Sequence, residues 1–351
     1  IVETTIAMHY VFNSPVDKII YDVSHQCYPH KILTGRKECF TNCDEYFKYS
    51  GYTSPEESCH DLFKVGHTST SVSLALGVAK ARDLKGDKEN VIALIGDGSL
   101  SGGEAYEGFN NASCLNGNLI IVVNDNDMSI AENQGGLYQN LKLLRETNGV
   151  AELNFFKSLG FDYLYADDGN NIQKMIDVFK KVKDYNHPIV VHVKTQKGHG
   201  LKCAEINKEM FHWILPNTLD DNNEQIQNNG NVLENYNSIT TDFILNKAKD
   251  DKTVVAITPA TPGAYGFNHE FREKLGENKQ YIDVGIAEEH AIAYGSALAK
   301  SGAKPFLAVL SSFIQRTYDQ LSQDLCLNNS PITLLIYWGA ITNADATHLG
   351  I

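Results

Sequence analysis

Oxygen-bearing side chains follow two apolar runs of the chain, at the point where each run ends. Asp97 comes just after the run 91–95, and Asn126 comes just after the run 119–123. Both runs have the length and branched composition of buried parallel strands, and ligands bind where the carboxyl ends of such strands meet. Carboxylate and amide oxygens suit Mg²⁺, which completes its shell with water and phosphate oxygens. The pattern therefore predicts a site for a divalent cation and a phosphate-bearing ligand.

The turn after the first run allows two interpretations. A glycine-aspartate-glycine triplet such as 96–98 occurs at plain strand-to-helix turns of Rossmann-like sheets. Alternatively, its glycines let the backbone approach a phosphate, and the N-terminus of the helix predicted over 102–112 favours an anion. Asn126 lies 29 positions after Asp97, again just past a strand, which favours the second interpretation.

Length, composition and charge limit the class of protein. At 351 residues the chain is long enough for two domains. Its net charge of −13 and pI near 5.4 argue against a nucleic-acid-binding surface, which needs a basic face. No apolar run reaches the length of a membrane span, and no signal-peptide pattern is present. The seven cysteines include no C-x-x-C pair, which favours reduced thiols, and the start at Ile1, inside a helical pattern, indicates a fragment.

Alternating strand and helix patterns predict an α/β fold with two domains, each a mainly parallel sheet with helices on both faces. The first domain is predicted over 1–216 and the second over 238–351, with an asparagine-rich acidic linker at 217–237. Strands are predicted at 91–95, 119–123, 188–193, 253–258, 281–284, 305–310 and 332–336. Helices are predicted at 68–84, 102–112, 172–182, 239–249, 287–301 and 316–327, whereas 140–153 is weakly patterned.

The segment 21–36, Y-D-V-S-H-Q-C-Y-P-H-K-I-L-T-G-R, resembles the W-D-V-G-H-Q-x-Y-P-H-K-I-L-T-G-R segment of the 1-deoxy-D-xylulose-5-phosphate synthases, a family of transketolase-like enzymes. The likeness covers nearly the whole chain. It continues through V-G-H-T-S-T-S at 65–71, G-D-G-S at 96–99, N-D-N-D-M-S-I at 124–130, K-G-H-G at 197–200, I-T-P-A at 257–260, D-V-G-I-A-E-E-H at 283–290 and F-I-Q-R-T-Y-D-Q at 313–320. The spacing of Asp97 and Asn126 also resembles that of thiamine-diphosphate enzymes.

The resemblance implies thiamine diphosphate and Mg²⁺ as cofactors, held by two thiamine-diphosphate-binding-type domains. The first is a diphosphate- and metal-binding domain, the second is a truncated pyrimidine-binding domain, and the family's third, C-terminal domain is absent. Asp97, Asn126 and the carbonyl of Met128 are implied as the Mg²⁺ ligands. The implied cofactor-binding residues are His25, Gly66, His67, Thr68, Gly98, Ser99, Asn126, Lys197 and Glu288.

Four residues are implied to take part in the chemistry. Glu288 matches a glutamate that hydrogen-bonds N1′ of the aminopyrimidine ring and so promotes loss of the thiazolium C2 proton. The alternative for Glu288 is a solvated carboxylate in the first turn of a helix. His25 and His67 are implied to line the site, where imidazoles bind substrate oxygens or move protons; the alternative for each is an ordinary polar residue. His212 is implied as a proton donor.

Three residues, Arg316, His348 and Asp345, are implied to bind the phosphate of the acceptor sugar, since a guanidinium pairs well with phosphate. The segment A-D-A-T-H-L-G that holds Asp345 and His348 is one residue shorter than the family's A-D-G-x-T-H-Q-G. The family's D-R-A-G is replaced by Y-W-G-A at 337–340, which removes a second phosphate-binding arginine. The stretch 136–155 is also shorter than is usual in the family.

The family joins pyruvate to D-glyceraldehyde 3-phosphate with loss of CO₂, and its product feeds isoprenoid, thiamine and pyridoxal synthesis. The resemblance implies this reaction and a homodimer for the present chain, without a nucleic-acid or membrane partner. Transketolase, which takes a ketose donor and releases no CO₂, and a non-catalytic fragment are the alternatives. The expected location is a plastid-type organelle such as an apicoplast if the source is eukaryotic, with bacterial cytoplasm as the alternative.

Overall fold

The computed structural model describes residues 1–46, 48–212, 236–276, 279–339 and 347–348. The chain divides into two compact units, the first formed by 1–128 and 135–200 and the second by 129–134 and 201–351. This division falls at residue 200, whereas the sequence predicts a domain boundary at 216. Residues 217–235 of the predicted linker lie outside the described residues, and the last two, 236 and 237, begin a helix.

The first unit contains one sheet of five parallel strands. In chain order these are β1 (Lys18–Tyr21), β2 (Val91–Gly96), β3 (Leu119–Asp125), β4 (Asp162–Ala166) and β5 (Pro188–Lys194). Their order across the sheet is β1-β2-β3-β5-β4, and every adjacent pair is parallel. Gly96 lies opposite Asn124, so the carboxyl ends of β2 and β3 are level at one edge of the sheet.

Helices cover both faces of this sheet. They are α1 (Val2–Val11), α2 (Tyr28–Lys31), α3 (Glu38–Thr41), α4 (Cys43–Tyr46), α5 (Ser71–Lys85), α6 (Gly103–Ala112), α7 (Gly136–Glu146), α8 (Phe155–Ser158) and α9 (Ile172–Val182). Ile92 and Leu94 share a core with α1 and α9, whereas Ala93 and Ile95 share a core with α5, α6 and α7. Successive side chains of a strand point to opposite faces of the sheet. A strand whose two faces are both covered by helices therefore needs apolar residues at successive positions.

Helix α7 is a major element of the first unit that the sequence pattern does not predict. Its buried side chains are Tyr138, Leu141 and Leu144, which recur every three residues along one face. Polar and charged residues between and after them weaken the pattern over 140–153. The helix is stabilised because these three side chains pack into the core, so tertiary packing outweighs the weak local signal.

The second unit contains a four-stranded parallel sheet of order β7-β6-β8-β9. Its strands are β6 (Val254–Thr258), β7 (Tyr281–Asp283), β8 (Lys304–Leu310) and β9 (Thr333–Tyr337), and its helices are α10 (Lys202–Ile206), α11 (Tyr236–Asp250), α12 (His269–Gly276), α13 (Glu288–Lys300) and α14 (Tyr318–Gln320). One face packs on α11 and α12, and the other packs on α13. The predicted fold class, two mainly parallel sheets with helices on both faces, is confirmed.

The helix predicted over 316–327 is wrong as a regular α-helix, although residues 314–326 are helical throughout. The chain forms a 3-10 turn at Ile314–Thr317, then α14, then a π-helical turn at Leu321–Cys326. Thr317 is fully buried, and its hydroxyl donates to the carbonyl of Ile314 at 2.7 Å. This local hydrogen bond competes with regular α-helical geometry.

Two sequence expectations concern covalent links and membranes. Disulfides join none of Cys27, Cys39, Cys59, Cys114, Cys203 and Cys326, in agreement with the prediction of reduced thiols. Within the described ranges, no helix has both the length and the apolar character needed to cross a bilayer.

The signature segment 21–36 contributes to a buried ionic cluster in the first unit. Arg36 donates to both carboxylate oxygens of Asp61, at 2.6 and 2.9 Å, and His30 Nε2 lies 2.8 Å from Asp61 Oδ1. Fully buried Lys31 pairs with Glu57 at 2.6 Å. Burial alone would raise the pKa of Asp61, but the hydrogen bonds from His30 and Arg36 hold that pKa well below its usual value. The cluster fastens the loop before α5 to helix α2.

Acid is expected to weaken the first unit through His9. His9 Nε2 lies 2.8 Å from His30 Nδ1, and burial, together with nearby His30 and His60, lowers the pKa of His9 to about 4. Because the unfolded chain takes up this proton near pH 6.5, the stability is fully present above pH 6.5 and is lost as the pH falls towards 4. The free energy of unfolding, measured by urea denaturation, should fall between about pH 7.5 and about pH 5.0 in the parent chain. In His9→Gln this fall should be about 1 kcal/mol smaller than in the parent.

The half-exposed His187 provides the matched control for this experiment, as His187→Gln. An equal pH dependence in the parent chain and in His9→Gln would contradict the assignment of this acid sensitivity to His9.

Candidate functional site

The predicted cation ligands meet at the carboxyl edge of the first sheet. Asp97 begins the 3-10 turn Asp97–Ser101 directly after β2, and Asn126 directly follows β3. The backbone N–H of Met128 donates to Asp97 Oδ2 at 3.1 Å and to Asn126 Oδ1 at 3.2 Å. Because both oxygens contact one nitrogen, the structure brings the two predicted ligands together although they are far apart in sequence.

The chemistry of this donor set fits Mg²⁺. Asp97 is 2% exposed, so its carboxylate is a buried charge that a cation would compensate. Asn126 supplies an amide oxygen, and Met128, which stands beside both, carries the main-chain carbonyl predicted as the third ligand. The described residues hold no cluster of three or more His, Cys, Asp or Glu side chains suited to a metal. A cation here would therefore depend on mixed oxygen donors, completed by water and phosphate.

Tyr138 supports the 3-10 turn that presents Asp97. Its hydroxyl lies 3.2 Å from the carbonyl oxygens of both Asp97 and Gly98 and donates to them. Tyr138 belongs to α7 and is buried. Sequence reasoning missed this residue because it lies in the stretch whose helical pattern is weak.

A network around Asp22 ties the segment that contains Gly66, His67 and Thr68 to the same edge. Asp22 accepts hydrogen bonds from the backbone N–H groups of Ser69, at 2.8 Å, and Ser71, at 3.0 Å. Ser69 Oγ donates to the carbonyl of Ser99 at 2.8 Å. Burial raises the pKa of the Asp22 carboxyl, and these hydrogen bonds oppose the shift. The motifs V-G-H-T-S-T-S and G-D-G-S are thus joined directly.

The remaining predicted residues of the first unit follow neighbouring strands. His25 comes shortly after β1, which pairs with β2, and Lys197 comes shortly after β5, which pairs with β3. All these strands are parallel, so both residues lie beyond the edge that carries Asp97 and Asn126. Their cofactor and catalytic roles stay predictions.

Glu288 is the first residue of α13 in the second unit. The alternative of a solvated carboxylate is wrong, because Glu288 is only 3% exposed. Its Oε2 atom is buried and makes no hydrogen bond within the described part of the chain, although Arg316 Nη1 lies 3.5 Å away as an ion pair. Burial raises the pKa of Glu288, and the guanidinium of Arg316 opposes that shift.

Asp283 fixes the turn that leads into Glu288. Its Oδ1 accepts hydrogen bonds from the backbone N–H groups of Ala260, at 3.0 Å, and Gly285, at 2.9 Å. Ala260 and Gly285 both have positive φ angles, of 58° and 74°, and the paired hydrogen bonds stabilise this unusual backbone. Burial raises the pKa of Asp283, and the two bonds oppose the shift. Asp283 therefore connects the I-T-P-A and D-V-G-I-A-E-E-H motifs.

The residues predicted to bind a substrate phosphate lie partly within the described structure. Arg316, in the turn after β8, is the residue paired with Glu288. The His348 carbonyl accepts a hydrogen bond from Ser312 Oγ at 2.8 Å, and its ring packs against Phe313 with centroids 5.4 Å apart. Arg316 and His348 therefore belong to the same end of the second sheet. Asp345 lies outside the described residues.

His212 lies in a 3-10 turn, Met210–His212, that packs with the second unit. The two carboxylate oxygens of nearby Glu209 accept hydrogen bonds from the guanidinium of Arg272, both at 2.8 Å. A bidentate pair of this kind fixes orientation as well as position. It anchors the segment that carries His212 to α12.

Comparison with known families decides the relationship. A family model described as 1-deoxy-D-xylulose-5-phosphate synthase matches residues 1–154 and 145–195, and one described as the transketolase pyrimidine binding domain matches 235–348. The chain belongs to the 1-deoxy-D-xylulose-5-phosphate synthase family. Members of this family are transketolase-type transferases that depend on thiamine diphosphate and Mg²⁺.

Individual relatives agree with this assignment. The 1-deoxy-D-xylulose-5-phosphate synthases of Caldanaerobacter subterraneus subsp. tengcongensis and Carboxydothermus hydrogenoformans are each 40% identical, over 388 and 392 residues, covering 100% of this chain and 61% of each relative. The chain thus spans about 60% of their length.

Among solved structures, this chain is similar to the transketolase of Campylobacter jejuni subsp. jejuni NCTC 11168. The two are 16% identical, the superposition covers 95% of this chain and 63% of the transketolase chain, and the TM-score is 0.44.

The alignments show that this synthase-family chain is shorter than the matched part of its relatives. They run over more positions than the 351 residues of the chain, so the relatives carry additional residues. The two matched pieces of the synthase model overlap at 145–154. This overlap falls within 136–155, the stretch that the sequence comparison predicts to be short.

Proposed function

We propose that this chain provides the cofactor-binding units of a 1-deoxy-D-xylulose-5-phosphate synthase, which joins pyruvate to D-glyceraldehyde 3-phosphate and releases CO₂. The observation that carries the proposal is the convergence of Asp97 and Asn126 on the Met128 N–H, in a chain of this family. The buried carboxyl group of Glu288 supports it independently, because the raised pKa suits a proton donor.

In this proposal the first unit holds the charged end of the cofactor. Asp97, Asn126 and the carbonyl of Met128 would bind Mg²⁺, and the metal would neutralise diphosphate oxygens. Gly98 and Ser99 follow Asp97 in the same turn, and their backbone N–H groups are assigned to the diphosphate. The remaining contacts to the cofactor are assigned to His25, Gly66, His67, Thr68 and Lys197.

The second unit supplies the group that activates the cofactor. When bound, thiamine diphosphate would supply a thiazolium ring whose C2 can lose a proton to become a nucleophile and which can take up the electrons of the C–CO₂ bond broken in decarboxylation. Glu288 would donate a hydrogen bond to N1′ of the aminopyrimidine ring. A buried carboxyl with a raised pKa keeps its proton at a higher pH than an exposed one does, so burial prepares Glu288 for this role. The guanidinium of Arg316 opposes this rise in the pKa of Glu288.

Polar side chains of both units are assigned to the substrates. His25 and His67 would bind substrate oxygens or move protons, and His212 would donate a proton. Arg316, His348 and Asp345 would bind the phosphate of D-glyceraldehyde 3-phosphate. Since the second family arginine is replaced at 337–340, Arg316 would carry most of the charge complementarity to this phosphate.

Product analysis tests the proposed reaction. The full chain should convert pyruvate and D-glyceraldehyde 3-phosphate, with Mg²⁺ and thiamine diphosphate, into CO₂ and a five-carbon ketose phosphate identified by mass spectrometry. Omitting either substrate is the control. Ketol transfer from xylulose 5-phosphate without CO₂ would instead make the chain a transketolase. Cofactor binding without either reaction would identify a non-catalytic fragment.

Biological context follows from the same proposal. The product would supply isoprenoid, thiamine and pyridoxal synthesis, and the active form would be a homodimer. The relatives named above are bacterial, which favours bacterial cytoplasm over a plastid-type organelle as the location.

A further inference from the structure

One arginine side chain, that of Arg145, supports the loop that carries Asn126 by bonding its two neighbouring residues. Arg145 lies near the end of α7, and its Nη1 donates to both carboxylate oxygens of Asp125 at 2.7 Å. Its Nη2 donates to the carboxylate of Asp127. The guanidinium therefore bonds the residue on each side of Asn126, and the Arg145 side chain is only 10% exposed.

Hydrogen bonds among buried side chains fix the position of the Asp125 carboxylate that Arg145 contacts. His192 Nε2 lies 2.8 Å from Asp125 Oδ2, and the hydroxyl of Tyr163 lies 2.7 Å from His192 Nδ1. The side chains of Asp125 and His192 are both fully buried. Charge-assisted hydrogen bonds are stronger than neutral ones, so Asp125 cannot turn without losing several strong contacts.

Tight packing determines where Arg145 lies. Gly149 follows α7 with a φ of +77°, and its N–H donates to the carbonyl of Leu144 at 2.7 Å, which ends the helix. A Cβ atom at Gly149 would lie 2.4 Å from Tyr165 Cβ. Only glycine permits this approach to β4, so the end of α7 has little freedom to move away from the loop.

The loop itself needs support. Asp127 has a φ of +63°, a left-handed conformation with a backbone cost for L-residues that aspartate can adopt when its side chain forms local hydrogen bonds. Its N–H bonds Asp125 Oδ1 at 3.1 Å, and its side chain bonds Arg145. These contacts offset the backbone cost and set the direction of the following Met128 peptide, whose N–H joins Asp97 to Asn126.

We propose that Arg145 is a positioning residue for the cation site: by bonding Asp125 and Asp127 together it holds Asn126 and Met128 in the geometry that faces Asp97. This inference rests on the proposed function, which places Mg²⁺ at these oxygens.

The test measures the binding of thiamine diphosphate to the full chain by calorimetry at a series of Mg²⁺ concentrations. In Arg145→Met the Mg²⁺ concentration at half-maximal binding should rise about tenfold, the lower end of the range for outer-shell partners of metal ligands. Arg145→Lys, which retains the charge but not the fork, should give an intermediate rise. Asp127→Asn removes the negative charge of one half of the contact at a 61% exposed side chain but keeps an oxygen that can accept from Arg145, so it should fold normally and raise the midpoint by less than the roughly tenfold rise expected for Arg145→Met.

Arg82→Met is the matched control. Arg82 is a buried arginine of the same unit, paired with Asp83 at 2.7 Å, and it bonds the carbonyls of Glu89 and Asn118 at the opposite edge of the sheet. Its loss should lower the melting temperature without moving the Mg²⁺ midpoint. Methylguanidinium added at a non-denaturing concentration should restore the midpoint of Arg145→Ala but not alter that of Arg82→Ala.

Each outcome separates this inference from the proposed function. If the parent chain binds thiamine diphosphate with Mg²⁺ and the Arg145 and Asp127 variants have the parent midpoint, the positioning role is wrong and the cation site stands. An equal shift in Arg82→Met would also contradict the role, because it would trace the effect to loosening of the whole unit. If the parent chain shows no Mg²⁺-dependent binding of thiamine diphosphate, this result contradicts the proposed function itself, on which the role of Arg145 rests.

Discussion

Replacing Glu288 by alanine is expected to lower the rate of CO₂ release at least about 1000-fold, within the range for loss of a positioned proton-transfer group. Thiamine diphosphate should still bind within about tenfold of the parent affinity, a difference of about 1.4 kcal/mol. The reason is that Glu288 is buried, with its Oε2 paired to Arg316 Nη1 at 3.5 Å, and is proposed to activate the cofactor ring, whereas the diphosphate is assigned to residues of the first unit. Exchange of the C2 proton in D₂O, followed by acid quench and NMR, measures the affected step directly.

Glu289→Gln is the matched control, since it changes the neighbouring carboxylate on the same helix. Equal losses of affinity and turnover in Glu288→Ala would mean that this side chain binds the cofactor without activating it. Glu288→Gln adds a test of the electrostatics. Because burial raises the pKa of Glu288, its ionisation opposes folding as the pH rises above 4.5. The free energy of unfolding of the glutamine variant, relative to that of the parent, should therefore be larger at about pH 8 than at about pH 5.

Asp97→Ala is expected to weaken Mg²⁺-dependent binding of thiamine diphosphate at least about 100-fold, the upper end of the range for groups that support a metal site. Asp97 contributes the one carboxylate among the three proposed ligands, and it also accepts the Met128 N–H. The alanine variant loses both functions. Isothermal titration at several fixed Mg²⁺ concentrations provides the measurement.

Asp97→Asn separates the two functions of this residue. Its side-chain oxygen can still accept the Met128 N–H, so the loop should keep its conformation while the charge is lost. Binding should then fall almost as far as in the alanine variant if the negative charge matters most. The exposed carboxylate of Asp177, changed to asparagine, is the control within the same unit. Unchanged binding in both Asp97 variants would place the metal elsewhere.

The individual elements were largely predictable from local sequence. Helix α9 begins and ends at the predicted residues 172 and 182, and β2 and β3 extend their predicted runs by one and two residues. The runs 91–95 and 119–123 within these strands are buried on both faces and wholly apolar, and they are followed by Gly96 and Asp97 in one case and by Asn124 in the other. Such signals are local, and the chain needs no distant partner to display them.

The contacts that complete the site were not predictable in this way. Tyr138 supports the Asp97 turn, Asp22 joins two motifs, and Arg145 holds the Asn126 loop. Each of these bonds joins segments that are distant in sequence. Nothing in the local pattern around Arg145 distinguishes it from an arginine on a solvated helix face.

The sequence by itself therefore determined the type of sheet, the positions at which strands end, and the residues whose chemistry suits a cation and an activating acid. The tertiary structure alone decided which of those residues meet, that Glu288 is buried beside Arg316, and which buried groups hold the ligands in place. The physical reason is the distance along the chain over which each kind of interaction acts. Strand and helix patterns are read over a few neighbouring residues, whereas burial and charge pairing depend on how segments far apart in the chain pack against each other.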